Sequence, residues 1–327
     1  MTDIIAITDS SIKRASKILT SGGLVAFPTE TVYGLGANAC DSAAVAAIFE
    51  AKGRPSFNPL ISHVGSSQAA FQLGIETELA TILASCFWPG PLTLVLDRCP
   101  GCKVAMLTTA GLDKIAVRVP ANKHAQALLQ IFAMPIAAPS ANPSGRISPS
   151  TAYHVHAGLA GKIDLILDGG PCEDGVESTI IDCSGAAPVL LRPGGISRGA
   201  IETELKSAGI SSVLIDLSQT NLDQPVAPGQ LHSHYAPHAK VRLNVTKGNS
   251  TEELIGFGPV AGAGQLSLSF SKTGDLREAA ANLFAMLHKV DAITAKTGRT
   301  IAIAPIPKVG VGEAINDRLR RASATRD

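Results

Sequence analysis

Two cations lie one residue apart in a segment that also contains glycine and proline. Lys52 and Arg54 belong to residues 52–60, where one glycine and two prolines oppose a continuing helix. Lysine binds a phosphate as a point charge, and arginine binds it as a planar fork of donors. An isolated pair of this kind is usually solvated surface charge. Here we expect an anion-binding loop, because other segments supply matching groups.

Hydroxyl and glycine residues form a second such segment, residues 27–36. A buried strand is predicted to end there, so that backbone amides can approach a ligand closely. Polar or cationic side chains recur at other predicted strand ends. The full set is Thr29, Lys52, Arg54, Asn58, His63, Arg118, Ser140, Asn142, Ser178 and Arg192. Ligand sites of mixed α/β sheets assemble at strand ends, so we expect these side chains to converge.

The charges in this set indicate the ligand. Three arginines and one lysine have no matching cluster of carboxylates, which favours an anion. No Ser-His-Asp order, carboxylate pair or metal-ligand spacing stands out, so we predict no metal site. Cys99 and Cys102 have a redox or zinc spacing but no second pair, and we interpret them as structural. The residues alone predict an enzyme or binder for a phosphorylated ligand such as a nucleotide.

Helices and strands alternate in the first 210 residues, as in an α/β fold. We predict that helices begin at Asp9 or Ser10, at Asp41 or Ser42 and at Ser197, and that further helices span 67–73, 76–87 and 122–132. Strands are predicted over 24–27, 60–64, 92–96, 114–120, 135–138 and 164–170. Residues 176–182 and 188–192 are predicted to form a hairpin. These strands would end at the polar groups described above.

A second, smaller unit is predicted beyond a linker. Residues 211–240 contain several prolines and no lasting periodicity, which is typical of a linker. After it, strands over 241–245, 253–257, 265–270 and 300–303 and a helix over 275–288 predict a small α/β domain. The glycines between 256 and 264 match a dinucleotide fingerprint poorly. The predicted division is therefore 1–210, 211–240 and 241–327.

Composition bounds the possible functions. The 327 residues are 45% apolar, contain no stretch long enough to span a membrane, and begin with an acidic residue before any cation, so a cytoplasmic location is expected. Residues 1–210 carry 15 Lys and Arg against 17 Asp and Glu. That net charge of −2, with only thirteen aromatic residues in the chain, disfavours an RNA-binding module, the main alternative class.

The order of these motifs carries a family resemblance. Residues 27–36, 52–60, 88–96, 116–120, 138–142, 175–182 and 191–196 resemble the YrdC-like family of threonylcarbamoyl-AMP synthases. His234-Tyr235-Ala236-Pro237 before a small α/β domain resembles the long form of that family. The resemblance implies a twisted, open mixed sheet with a concave ligand face, followed by a small Rossmann-like domain. A related carbamoyl-transferring hydrogenase-maturation family is disfavoured, because it has zinc-finger cysteine pairs.

The resemblance also implies a reaction and its residues. L-threonine, bicarbonate and ATP, with Mg²⁺, would give threonylcarbamoyl-AMP and pyrophosphate for modification of the adenosine beside the tRNA anticodon. A downstream transferase complex would take the product, and direct tRNA binding is not required. Lys52 and Arg54 would be catalytic. The implied threonine site is Thr29, His63, Arg118, Ala138 and Ser178, and the implied ATP site is Lys52, Arg54, Ser56, Asn58, Lys114, Ser140, Asn142, Ser148, Arg192 and Tyr235.

Several of these residues also have a purely structural interpretation. His63 could be a core histidine bonded to backbone, and Thr29 could begin a turn. Arg192 could pair with Glu177 or Asp182. Ser140 and Ser178 could cap strand ends. Finally, an acyl-adenylate hydrolyses readily, so we expect the linker, with Tyr235, to cover the site.

Overall fold

The first part of the chain forms one open mixed sheet. The computed structural model describes residues 2–210, 214–217 and 234–324. In these ranges the sheet has eleven strands, in the order β1-β8-β2-β3-β7-β4-β6-β5-β9-β10-β11. They are β1 (Asp3–Ala6), β2 (Val25–Phe27), β3 (Gly34–Asn38), β4 (Ile61–His63), β5 (Leu92–Asp97), β6 (Lys114–Arg118), β7 (Ile136–Ala137), β8 (Leu165–Asp168), β9 (Thr179–Asp182), β10 (Val189–Arg192) and β11 (Ile215–Asp216). The predicted hairpin is confirmed as the antiparallel pair of β9 and β10.

Seven helices of the described chain accompany this sheet. They are α1 (Asp9–Thr20), α2 (Ser42–Lys52), α3 (Ser67–Phe71), α4 (Glu78–Phe87), α5 (Lys123–Phe132), α6 (Ala152–Leu159) and α7 (Arg198–Ser207). Asp41 and Ser197 cap α2 and α7, as predicted. The cap of α1 is Thr8, because Thr8 and Ser11 bond reciprocally in a capping box. Helix α6 was missed, since a run rich in proline and serine precedes its cap, Thr151.

The sheet is buried on both faces. One core cluster contains Ile12 and Leu19 of α1 together with Leu128 and Leu129 of α5. The larger cluster packs α2, α4 and α7 against the opposite side, with Ile48 among its fully buried members. Burial on both faces explains why the strands read as continuous apolar runs. It also means that any polar group inside the sheet must find a partner or a ligand.

The last part of the chain forms a second, parallel sheet. Its strands β12 (Val241–Arg242), β13 (Glu252–Ile255) and β14 (Thr300–Ile303) lie in the order β12-β14-β13, with helices α8 (Leu276–Thr297) and α9 (Gly312–Ser323). The predicted strand over 265–270 is wrong, because this segment makes only an isolated bridge, between Ser269 and Gly256. Helix α8 continues nine residues beyond the predicted end at residue 288, until Gly298 adopts a left-handed cap with φ of 68°.

The two sheets share one core cluster. Val32, Ile147 and Val176 from the first part pack with Leu283 and Phe284 of α8. Of the predicted linker, residues 211–213 and 218–233 lie outside the described ranges, so the boundaries at 210 and 240 stay a prediction. The expected α/β class with a mixed sheet and a small second α/β unit is confirmed. Nowhere in the described ranges is a helix both long and apolar enough to cross a bilayer.

Candidate functional site

A buried cavity lies where the ends of several short strands of the large sheet meet. Nine of the residues predicted from the sequence line it, namely Thr29, Arg54, His63, Arg118, Ala138, Ser140, Ser178, Arg192 and Tyr235. Thr31, Val32, Gly34, Ile61, Pro139, Glu177 and His234 complete the described wall. Parallel pairing places His63 directly beside Arg118, at the ends of β4 and β6. The expected convergence of strand-end side chains is therefore observed.

The end of α2 and the loop after it carry two buried cations, Lys52 and Arg54, whose described partners are backbone carbonyls. Helix α2 ends at Lys52 because Gly53 adopts a left-handed conformation with φ of 59°. The Lys52 ammonium donates to the carbonyls of Ser140 and Asn142, at 2.6 and 2.5 Å. Arg54 donates to the carbonyls of Asn58 and Pro59. Burial, then the neighbouring Arg54 charge, lowers the pKa of Lys52, and burial lowers that of Arg54 to about 10. Such cations favour an incoming anion.

Arg118 is held by groups that the sequence did not indicate. Its guanidinium donates to Glu30 at 2.5 Å, to the Thr31 hydroxyl at 2.9 Å and to the Gly90 carbonyl at 3.3 Å. Burial alone would raise the pKa of Glu30, but the Arg118 charge and hydrogen bond lower it overall. Glu30 is therefore an ionised counter-charge beside the cavity. The only signal for it was an acidic residue inside the hydroxyl-rich segment 27–36.

Thr29 and His63 make the structural contacts considered from the sequence, and both also line the cavity. The Thr29 hydroxyl accepts from the Val32 amide and donates to the Val32 carbonyl, as in a local turn. His63 Nδ1 lies 3.3 Å from the Ile61 carbonyl. Burial, assisted by the Arg118 charge, lowers the pKa of His63 to about 3. Both side chains nevertheless face the cavity, so a structural bond and a ligand contact are compatible.

Arg192 bonds to Ser178 rather than to either carboxylate considered from the sequence. Its guanidinium donates to the Ser178 carbonyl at 2.9 Å and to the Ser178 hydroxyl at 3.1 Å. That hydroxyl also lies 2.7 Å from the hydroxyl of Thr93. Burial lowers the pKa of Arg192 to about 10. Of the two carboxylates, Asp182 bonds Lys114 and Glu177 bonds Arg318.

Tyr235 lies inside the cavity wall. Its side chain is buried, and its ring stacks on Phe284 of α8 with centroids 5.7 Å apart. The backbone at Tyr235 has a φ of 61°, and the next amide, of Ala236, donates to the Gly145 carbonyl. From the sequence we expected Tyr235 to belong to a segment that covers the site. In the structure Tyr235 and its neighbour His234 both line the cavity.

Six predicted residues lie outside the described lining. Ser148 is buried and donates to Glu177 at 2.6 Å, and Asn142 bonds the carbonyls of Pro143 and Arg146. The Lys52 ammonium contacts the cavity wall indirectly, through the carbonyls of Ser140 and Asn142 to which it donates. Asn58 is buried, and neither its amide nitrogen nor its amide oxygen has a partner among the described residues. Ser56 is exposed. Lys114 lies at the opposite end of β6 from Arg118, and the contact with ATP that was expected of Lys114 stays a prediction.

Comparison with known proteins defines the class. Residues 17–194 match the Sua5/YciO/YrdC family model, described as telomere recombination, and residues 196–324 match the model described as threonylcarbamoyl-AMP synthase, C-terminal domain. The chain is thus a Sua5/YciO/YrdC-type enzyme with an additional C-terminal domain. Among curated relatives, the threonylcarbamoyl-AMP synthase of Pyrococcus abyssi is 43% identical over 98% of this chain and 96% of the relative. That of Bacillus subtilis is 40% identical over 100% and 96%.

A solved structure agrees with these relatives. The P. abyssi Sua5 structure described as complexed with L-threonine has a TM-score of 0.87 and 41% identity, and the match covers 98% of both chains. The chain belongs to the family of threonylcarbamoyl-AMP synthases, and the resemblance noted in its sequence is confirmed.

Proposed function

We propose that this enzyme makes L-threonylcarbamoyl-AMP and pyrophosphate from L-threonine, bicarbonate and ATP. The observation that carries the proposal is the meeting of Arg54, Arg118 and Arg192, all buried, in one cavity. Three guanidinium groups in one cavity favour an anionic ligand, and an amino-acid carboxylate and a triphosphate would both supply one. The bound L-threonine named for the P. abyssi structure supports the choice of amino acid.

The proposed reaction forms two bonds in sequence. The neutral amine of threonine attacks carbon dioxide derived from bicarbonate and loses a proton, which gives a carbamate. A carbamate oxygen then attacks the α-phosphorus of ATP. The bond from that phosphorus to the bridging oxygen of the β-phosphate breaks, and pyrophosphate leaves with the bonding electrons. Such transfers depend on positioning and on charge stabilisation more than on protein nucleophiles.

We assign the threonine carboxylate to Arg118. Its guanidinium is already oriented by Glu30 and Thr31, so it can receive a carboxylate with little loss of side-chain freedom. Thr29, Ala138 and Ser178 would flank the amino acid. His63 would orient the amine as a neutral partner, because burial lowers its pKa to about 3. A neutral imidazole avoids repelling Arg118 and leaves the amine uncharged for attack.

We assign the phosphates of ATP to Arg54 and Arg192, with Lys52 adding positive potential. Because Lys52 bonds the carbonyls of Ser140 and Asn142, it also shapes the 140–142 loop. Ser148 and Tyr235 would complete the nucleotide site, together with the predicted contacts of Ser56, Asn58 and Lys114. Charge-assisted bonds to phosphate are among the strongest available to a protein.

Magnesium would enter as part of the MgATP substrate. Among the described residues there is no cluster of three or more histidine, cysteine or acidic side chains fit to hold a metal. The two carboxylates at the cavity, Glu30 and Glu177, are engaged by Arg118 and Arg318. Mg²⁺ commonly keeps its water ligands and binds chiefly through substrate phosphates. It would neutralise phosphate charge as pyrophosphate departs.

The cavity has to enlarge before ATP can bind. It holds about 50 Å³, whereas sites for ligands of this size span roughly 300–1,000 Å³. Tyr235 lines the same cavity wall as Arg54 and Arg192. Withdrawal of Tyr235 would admit the nucleotide, and its return would exclude water from a product that hydrolyses readily.

The product is an activated carbamate for modification of the adenosine beside the tRNA anticodon. A separate transferase complex would consume it, in the cytoplasm where tRNA is modified. Direct binding of tRNA by this enzyme is not required by the proposal, because threonylcarbamoyl-AMP is a small, transferable intermediate. The net charge of −2 over residues 1–210 is consistent with that view.

The test is release of pyrophosphate from ATP by the purified full chain. Release should depend on both L-threonine and bicarbonate, and it should fall about a hundredfold in Arg54→Met, since a lost charge-assisted contact costs about 2–3 kcal/mol. Arg14→Met is the matched control, because Arg14 is exposed and pairs only with Asp3 among the described residues. Pyrophosphate release at the same rate with and without threonine and bicarbonate would refute the proposed function.

A further inference from the structure

Helix α9 brings an unusual set of charges into the interior. Asp317, Arg318 and Arg321 are 3%, 0% and 5% exposed. Charged side chains are almost never fully buried unless they are paired. The helix belongs to the C-terminal unit, yet Arg318 extends to a residue of the catalytic cavity 141 positions earlier in the chain. Charged residues on a helix usually keep the surface soluble, but buried charges cannot have that function. The burial of Arg318 therefore needs another explanation.

Arg318 makes three contacts, and the one with Glu177 joins the two units. Its Nε donates to Glu177 at 2.8 Å, and its Nη1 donates to Asp317 at 2.8 Å. Its guanidinium carbon lies 5.4 Å from the centroid of the Tyr235 ring, within range of a cation–π interaction. Its Nη2 has no hydrogen-bond partner among the described residues. Arg318 is therefore in contact with two residues of the cavity wall.

Glu177 stands between Arg318 and the predicted nucleotide site. Its other carboxylate oxygen accepts from the Ser148 hydroxyl at 2.6 Å. Burial would raise the pKa of Glu177, but the charges of Arg318 and Arg192 lower it overall, so the side chain is ionised. An ionised carboxylate in this wall would repel the phosphates of ATP unless another charge compensated it. Arg318 is the residue that compensates it by direct contact.

We propose that Arg318 is a positioning residue of the nucleotide site, acting through Glu177. It neutralises and orients Glu177, and through Glu177 it fixes Ser148, while its face supports the Tyr235 ring. The inference rests on the proposed function in taking the ligand to be ATP. It gives the C-terminal unit a defined part in catalysis, because helix α9 supplies the counter-charge without which the wall is repulsive.

A simple docking role for the same ion pair makes different predictions. A pair that only joins the two units would affect the unfolding temperature and leave substrate affinities alone. Buried pairs are in general weak sources of stability, because desolvation offsets their attraction. The positioning role instead predicts a selective effect on ATP, since Ser148, Arg192 and Tyr235 belong to the nucleotide side of the cavity.

The experiment measures KM for ATP and for threonine in full-length variants, together with the Kd of a non-hydrolysable ATP analogue. Arg318→Met should raise the ATP KM and the analogue Kd at least about tenfold and change the threonine KM less than about threefold, because the unpaired Glu177 charge faces the phosphates. Adding Glu177→Gln should bring both ATP constants back to within about threefold of the wild type, as removal of both charges ends the repulsion.

Controls separate this role from stability. Arg320→Met removes a cation from the same helix that bonds Asp317 at 2.6 Å but is largely exposed, and it should leave the ATP KM within about twofold of the wild type. If Arg318→Met lowers the unfolding temperature while the ATP constants stay unchanged, or if Glu177→Gln brings no recovery, the inference is wrong.

Two further outcomes are covered. Should Arg318→Met not fold, Arg318→Lys, which keeps the charge but loses the fork geometry that holds Glu177, should raise the ATP KM about threefold or more. An unchanged ATP KM in that variant would overturn the inference. Should the wild type release no pyrophosphate, the proposed function fails by itself, and the analogue Kd still decides the role of Arg318.

Discussion

At the scale of single residues, the buried cations of the site differ in the groups that hold them. Arg118 carries a carboxylate partner, Glu30, whereas the described bonds of Lys52 and Arg54 go to backbone carbonyls. A carboxylate orients an arginine and partly neutralises it, whereas backbone carbonyls orient a cation without adding an opposite full charge. The sides of the cavity proposed for threonine and for phosphate therefore differ in their electrostatics. His63, the last residue of β4, adds no charge to either side, because burial lowers its pKa to about 3.

The neutrality of His63 gives a pH prediction. The pKa of His63 is lowered in the folded state from 6.5 to about 3, mainly by burial. Between these values the unfolded chain binds the extra proton, so stability is full above pH 6.5 and is lost as the pH falls toward 3. Each pH unit in this window should cost about 1.4 kcal/mol from this group. Denaturant unfolding at several pH values should show a shallower acid loss in His63→Gln than in the wild type.

The comparison between the wild type and His63→Gln isolates the contribution of His63 to the pH dependence of stability. His154 and His234 also have lowered pKa values and contribute equally to both pH profiles. Parallel profiles of wild type and His63→Gln would therefore mean that His63 titrates normally, which would contradict its burial against Arg118.

At the scale of elements, the end of α2 determines where Lys52 and Arg54, the cations proposed to bind phosphate, lie. Asp41 begins the helix and Gly53 ends it, so that Lys52 occupies the last helical turn and Arg54 leaves in another direction. The sequence indicated a loop around Lys52, but the helix extends through that residue. Because a left-handed residue separates the two cations, they reach different carbonyls and do not share one partner.

Gly53 should be sensitive to a single methyl group for conformational reasons alone. A Cβ at Gly53 would meet no atom within 4 Å, but its φ of 59° is unfavourable for residues with a side chain. Gly53→Ala should reduce the free energy of unfolding by about 1 kcal/mol, measured by urea unfolding. Gly199, in α7, also has open space, and Gly199→Ala should raise stability by about 0.5–1 kcal/mol. Changes of the same sign in both variants would contradict this reasoning.

At the scale of the whole molecule, the two sheets are joined by apolar packing as well as by charge. The shared cluster contains both Val176, the neighbour of Glu177 in the cavity wall, and Phe284 of α8. Phe284 in turn stacks on Tyr235. The wall of the cavity is thus built partly on the core of the C-terminal unit, which explains why a site in the first sheet depends on residues near the end of the chain.

This shared core predicts that the two units lose stability together. Phe284→Ala removes a fully buried ring and should cost about 3–5 kcal/mol. The single tryptophan, Trp88, lies in the core of the large sheet and reports its unfolding. The Trp88 fluorescence transition and the amide exchange of α8 should shift by similar free energies. A Trp88 transition that stays in place while α8 exchanges faster would mean that the units unfold independently.

Two of the nine predicted residues that line the cavity, Ala138 and Tyr235, came from the family resemblance. The patterns of the sequence by itself determined the fold class, most strand and helix positions, and the other seven cavity residues. Local periodicity and strand-end chemistry suffice for these, because each depends on neighbours within a few positions. The helices α6 and α9 and the irregular 265–270 segment escaped this reasoning. Their signals were weak against the prolines and glycines nearby.

Only the tertiary structure decided which groups are partners. Arg118 meets Glu30 at a separation of 88 residues, and Arg318 meets Glu177 at 141. Lys114, which a family motif assigned to ATP, lies at the far end of its strand beside Asp182. Local patterns carry no information about such pairings, because the choice among many possible counter-charges is made by how the sheets pack. The charge balance of the cavity is therefore a property of the folded chain.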